Sequence, residues 1–378
     1  MQFDVDFPAG SGQKKFDALA AGLDAAFFAQ AAQALQKSPS KAPLVIFTEN
    51  AFTAQRLLEE IVWFAPDLSV HLFPDWETLP YDHFSPHPDL ISERLATLYQ
   101  IHQQQAHVVL VPMATALVKL PPVAYLSARS FMLKKSQKLN LEALRQQCAE
   151  AGYHHVSQVI SPGEFSVRGG LIDLFPMGSA LPYRIDLFDD EIESIRTFDV
   201  DSQRSLYPVS EIRLLPAREF PLDEQGVASF RQHYREVFEG DPSKSRIYKD
   251  ISKGVASGGI EWYLPLFFDE TASLLDYLPK QSVLCMHGLP QQAAEQIWQE
   301  AQMRYRLLAY DAERPILPPE HLLFKTDVFF QACHAFARLQ TSFHAQSGLP
   351  ELEIQRRAEQ PLHFLQQFIA SFPGRILI

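Results

Sequence analysis

The chain is 378 residues long, with 47% apolar and 21% charged residues and a formal net charge of −12. Length suggests two or three domains, and the composition is that of a globular protein. The acidic balance argues against a nucleic-acid surface spread over the whole chain, and no apolar run of about 18 residues supplies a transmembrane helix.

The acidic start, MQFDVDFPAGSGQKK, has no apolar core and does not read as a signal peptide. Cys148, Cys285 and Cys333 are scattered and odd in number, which fits a reducing cytoplasmic compartment and gives no zinc spacing.

Phe16–Gln36 is Ala-rich at helical spacing and predicts a helix, broken at Ser38-Pro39-Ser40. Leu44–Phe47 and Val108–Val111 are short continuous apolar runs, as in buried parallel strands, and Val70–Phe73 is a third strand. Ala51–Phe64 and Leu90–Gln104 are helices between them, and Asp75–Pro88 is a loop packed by its own rings. Strands alternating with helices predict an α/β layer with a parallel sheet.

Ser130–Lys134 reads as a strand and Leu141–Ala151 as a helix. A meander of four short strands follows: Phe165–Gly169, Leu171–Phe175, Tyr183–Phe188 and Ile192–Phe198. Gly169-Gly170, Met177-Gly178-Ser179 and Asp189-Asp190 supply the turns. Helix and meander predict a small α+β domain. Neighbours on a strand point to opposite faces. Tyr183, Ile185 and Leu187 therefore face the core, while Arg184, Asp186 and Phe188 share the wet face, with Arg168 near them. An exposed aromatic beside an arginine has the composition of a protein-binding hot spot. A solvated sheet face with an incidental Phe gives the same pattern.

Ala228–Phe238 and Gln291–Tyr305 read as helices and Ser282–Met286 as a buried strand. After about residue 320 come a strand and a helix, a polar connector (His344–Gln360), a helix at Leu362–Phe372, and the start of a strand at Arg375–Ile378. A strand with no room for a partner suggests a fragment of a longer protein.

Catalytic signals are absent. No G-x-x-x-x-G-K-[ST] phosphate loop occurs; Gly10–Lys15 comes nearest, lacks the preceding apolar strand, and reads as an N-terminal loop. His154-His155 and Asp82-His83 lack metal-ligand spacing. Asp189-Asp190-Glu191 reads as a hairpin tip, and no G-x-S-x-G elbow appears.

PDWETLPYDHFSPHPDLISERLATLYQ (Pro74–Gln100) and RGGLIDLFPMGSALPYRIDLFDDEIESIRTFDVDSQR (Arg168–Arg204) resemble the N-terminal region of the bacterial transcription-repair coupling factors, itself similar to the excision-repair protein UvrB. The resemblance extends to LPLFFDE (Leu264–Glu270) and RPILPP (Arg314–Pro319). It implies that residues 1–126 and 213–320 form one degenerate, helicase-like (P-loop NTPase-type) α/β domain. Residues 127–212 would be an inserted domain like UvrB domain 2, which in that family docks onto UvrA. Residues 321–378 would be a connector and the start of a further domain.

The resemblance also implies that the ATP- and Mg-dependent motor, and the parts that contact RNA polymerase and double-stranded DNA, lie outside this chain. Val283–Gly288 occupies the strand where UvrB carries its Asp-Glu pair, and Met286 and His287 cannot replace two carboxylates. The Asp82–Glu93 segment is too short for UvrB's damage-probing hairpin. The expectation is a non-enzymatic fragment without cofactor or membrane contact. It would be an adaptor that recruits UvrA to RNA polymerase stalled at DNA damage and restrains the motor. The family's UvrA contacts fall on Arg168, Arg184 and Phe188, with Asp186 at an acidic position; Arg196 joins them unless a bulge turns it to the other face. The rivals are a nucleotide-binding enzyme with an unrecognised site and a DNA-binding or purely scaffolding module, the DNA reading resting on Lys134, Lys135 and Lys138.

Overall fold

A computed structural model describes residues 5, 7–8, 10–20, 22–311, 313–344, 352, 354, 356 and 359–374. The chain enters through β1 (Gln13–Ala20), β2 (Leu44–Thr48), β3 (Val70–Leu72) and β4 (Val108–Pro112). It leaves this layer along β5 (Phe131–Lys134) and runs through β6 (His154–His155), β7 (Glu164–Arg168), β8 (Leu171–Phe175), β9 (Tyr183–Phe188), β10 (Glu191–Phe198) and β11 (Ser205–Val209). It returns on β12 (Glu211–Leu214) and finishes the layer with β13 (Val283–His287) and β14 (Ala337–His344).

The first layer is a six-stranded parallel sheet in the order β1-β14-β13-β2-β4-β3. β2 and β4 are buried at every position because helices cover both faces. Leu44, Ile46 and Cys285 pack with helices Asp24–Lys37 and Ala51–Phe64; Val45, Phe47 and Leu284 face the larger core on the other side.

Two expectations change here. Gln13–Lys15 is strand rather than loop, and the helix expected from Phe16 begins at Asp24. Gly22, at φ +84°, breaks the chain between them, and β14 supplies the hydrogen-bonding edge that draws β1 into extended form, pairing Gln13 with Arg338 and Phe16 with Thr341. The boundary expected at 320 also falls inside the layer. β14 sits between β1 and β13 with Leu339 fully buried, so the sheet needs the chain as far as His344. The expected helix at 362–372 is present as His363–Ser371. The strand expected at 375–378 and most of the connector lie outside the described residues.

The excursion between β5 and β12 hangs on an antiparallel ribbon in which Leu133 pairs with Ile212. Beyond the ribbon is a second six-stranded sheet, β11-β10-β9-β8-β7-β6, antiparallel except for β6 with β7. Helix Leu141–Glu150 buries Leu144 and Cys148 in the common core. The four expected strands are β7 to β10. β6 has only two residues, and β11 carries Pro208, which an edge strand tolerates because one of its sides needs no donor.

The excursion is seated firmly on the first layer. Gly178, at φ +77°, donates its N–H to Ser92 Oγ at 2.7 Å, and a Cβ there would come 2.8 Å from Ala96 Cβ. Nearby, Arg94 Nε donates to Glu219 Oε1 at 2.9 Å with both side chains buried, and Trp76 Nε1 donates to Glu219 Oε2.

Glu261 lines the cleft where the two sheets' supports meet. Burial pushes its carboxyl up to about 7, against its own backbone amide, the Ser85 hydroxyl and Arg218, with Glu219 repulsion adding to the rise. A carboxyl raised in the fold is no burden below its unfolded pKa and a growing one above it. Stability should therefore fall as pH rises from about 4.5 to about 7, by about 3 kcal/mol for a shift of this size. Glu261→Gln should remove that slope. The difference in melting temperature between variant and wild type, small at pH 5 and favouring the variant at pH 8, is the expected readout; equal curves at both pH values would refute it.

Candidate protein interface

The second sheet has one face on the common core and one partly open. Directly opposed residues on neighbouring strands share a face. Arg168 pairs with Leu171, Leu171 with Asp186, and Asp186 with Ser194. One register further, Ser166 pairs with Asp173, Asp173 with Arg184, and Arg184 with Arg196. Phe188 pairs with Glu191 at the hairpin end. The register shifts between Ile192 and Ser194, and this bulge keeps Arg196 on the same face as Arg184. Arg168, Arg184, Asp186, Phe188 and Arg196 are thus brought together, as alternation predicts.

They are not equally available. One end of the face carries a small cluster of Val159, Phe175 and Phe198. Arg184 lies against it, its guanidinium 4.8 Å from the Phe198 ring centroid. Its Nε and Nη2 donate to Asp173 Oδ1 and Oδ2 at 2.7 and 2.9 Å, and its Nη1 donates to the Gln203 carbonyl at 2.9 Å. The side chain is 16% exposed. Its hydrogen bonds to Asp173 hold the Arg184 charge more firmly than usual, against the effect of burial. This modifies the expectation for Arg184: its fork is fully engaged inside the domain, and it shapes the face more than it projects from it.

Asp173 is the centre of that arrangement and was not foreseen. It is 1% exposed and also accepts from Arg168 Nη2 at 2.6 Å. The available signal was a carboxylate in the middle of the apolar strand LIDLF, at the wet-face parity and opposite Arg184. A buried carboxylate needs paired donors, and two guanidiniums provide them.

The Arg168 side chain is 53% exposed. Asp186 accepts from Ser194 Oγ at 2.6 Å and from Arg196 Nη2. Burial pushes its carboxyl up, but the Ser194 hydroxyl and the Arg196 guanidinium outweigh that and leave it below the usual range. Phe188 is 71% exposed beside this rim. Asp189, at φ +53°, turns the hairpin there, and Lys138 bonds Asp190 at 3.0 Å. Leu206 is also exposed, as is Pro208, opposite Arg196 on the edge strand.

The other expected chemistry is placed as follows. Among the described residues no group of three or more His, Cys, Asp and Glu could hold a metal ion. Lys134 pairs with Glu211 and Lys138 with Asp190, so two of the three lysines considered for DNA face carboxylates. At the end of β13, His287 is buried, with Nδ1 2.9 Å from Thr341 Oγ1 and Nε2 3.3 Å from Asp24. Arg56 completes that group at 2.5 Å from Asp24. No described helix is long and apolar enough to cross a membrane.

A family model for the UvrB interaction domain matches residues 131–220, the stretch that carries the whole second sheet. Among curated proteins, the transcription-repair-coupling factor of Haemophilus influenzae is 42% identical over 346 residues, covering 87% of this chain and 30% of the relative. That of Escherichia coli K12 is 41% identical over 347 residues, covering 89% and 30%. The Bacillus subtilis factor is 30% identical over 284 residues, covering 71% and 24%. The chain spans less than a third of the length of these relatives.

Proposed function

The chain is a homologue of the N-terminal region of the transcription-repair-coupling factors, and from that premise we propose that it is the adaptor by which such a factor recruits UvrA to RNA polymerase stalled at DNA damage. The observation that carries this reading is an exposed Phe188 beside Arg168 and the Asp186–Arg196 pair, on a face braced from below by buried Asp173. Phe188 supplies an anchor that a partner can desolvate. Arg168 and the Asp186–Arg196 pair set register and encounter rate.

In this reading the parallel sheet is a degenerate helicase-like domain that holds the adaptor. ATP, Mg and double-stranded DNA belong to the motor elsewhere in the full-length protein, which this region also restrains, and the setting is the cytoplasm. A face that resembles UvrB's should compete with UvrB. Labelled chain bound to UvrA should be released by unlabelled UvrB in a saturable manner. A ternary complex that holds both would place the contact elsewhere.

A further inference from the structure

The outer edge of the parallel sheet is open on one side. In-register neighbours share a face, and the two faces of β1, β14 and β13 differ. On one, Phe16, Leu339 and Cys285 pack with helix Asp24–Lys37. On the other, the rows run Gln13, Arg338, Leu284 and then Lys15, Gln340, Met286. Leu284 and Met286 meet the larger core. Their outer neighbours are wetter: Gln13 and Lys15 are exposed, and Arg338 and Gln340 are partly exposed. A parallel sheet ordinarily has helices over both faces. Beside helices Pro290–Leu308 and Thr326–Cys333 the cover gives way to a cavity of 460 Å³, with these four polar side chains in its wall. That volume is within the range of about 300–1,000 Å³ usual for small-molecule sites.

The chemistry of the occupant follows from the wall. It contains Lys15 and Arg338 and no Asp or Glu, in a chain whose net charge is −12. Lys15 pairs with Gln340 and Arg338 with Gln13, so the two cations are diagonal neighbours on one face. Among the described residues, the Lys15 side chain has no partner, and the Arg338 guanidinium has only the Ser11 carbonyl at 3.3 Å. Adjacent like charges are unfavourable, and an anion between them reverses that. Glu49 does not supply it: its carboxylate accepts from the Leu289 N–H at 2.5 Å and is not part of the wall. Burial pushes the Cys333 thiol up to about 12, so it is neutral there. Met286, Leu289 and Phe330 add an apolar side to the cavity.

We propose that this cavity binds a small organic oxyanion, a carboxylate or a phosphate monoester, with its charged group between Lys15 and Arg338 and its apolar body against Met286, Leu289 and Phe330. The site shares no residue with the sheet face assigned to UvrA.

The test is titration calorimetry of the chain with phenyl phosphate, benzoate and uncharged benzyl alcohol, in wild type, Lys15→Gln and Lys14→Gln. At least one of the two anions should bind saturably, and which one does separates phosphate from carboxylate. Benzyl alcohol should bind at least about tenfold more weakly, the scale of one charge-assisted hydrogen bond. Lys15→Gln should keep the wild-type melting temperature, because the side chain is exposed and bonds nothing, yet bind the anion about tenfold more weakly. Lys14 lies on the opposite face, over the Phe16 ring, so Lys14→Gln should bind as wild type does. No saturable binding of either anion at millimolar concentration, equal binding of benzyl alcohol, undiminished binding by Lys15→Gln, or equal weakening by Lys14→Gln would each overturn the assignment.

Discussion

Asp173→Ala should cost about 3–5 kcal/mol of folding stability, the loss expected when one partner of a buried ion pair is removed. The carboxylate is 1% exposed and takes three hydrogen bonds from two arginines. Without it, Arg168 can turn to solvent. Arg184 cannot, because it is packed on Phe198 and held at Gln203, so a largely buried cation is left with one carbonyl. Chemical denaturation of the variant should show the loss, and the second sheet's open face should be disturbed with it. A loss below about 1 kcal/mol, the scale of an exposed pair, would mean that Asp173 does not brace the face. Arg184→Ala should behave in the same direction, so lost binding in that variant would not by itself mark Arg184 as a contact.

Glu219→Ala should be comparably damaging for a different reason. Its carboxylate binds Arg94 and Trp76 in the core where the excursion returns to the α/β layer. Removal leaves the Arg94 guanidinium, 1% exposed, with only the Pro74 carbonyl and two aromatic faces. A cost of about 3–5 kcal/mol is expected, read by denaturation. A melting temperature within a degree or two of wild type would refute the view that this pair anchors the returning chain in the α/β layer.

The sequence made some of this legible and hid the rest for identifiable reasons. Continuous apolar runs at Leu44–Phe47 and Val108–Val111 declare buried parallel strands, because nothing else so short needs two apolar faces. Period-two alternation in Tyr183–Phe188 placed Arg184, Asp186 and Phe188 on one face without any structure. β1 was hidden. Its sequence QKKFDALA reads on into an Ala-rich helix, and its partner β14 lies more than 300 residues away in the chain. Tertiary pairing overrides local propensity in such cases. The role of Arg184 was hidden too. Alternation gives a face but not what covers it, and the cover here comes from Val159, Phe198 and the turn at Gln203. The role of Asp173 is hidden because strand alternation gives its face but not the two arginines that it neutralises there.

The central claim is that the Phe188 face docks UvrA, and the most direct measurement is a titration of purified UvrA into this chain, wild type beside Phe188→Ala. Phe188 is largely exposed and supports no core, so its removal should leave the fold intact. The account predicts saturable wild-type binding, weakened in the variant by about 2 kcal/mol or more, close to thirtyfold, as for an interface anchor. Wild-type binding that Phe188→Ala leaves unchanged, or no binding of UvrA to the wild-type chain, would contradict it.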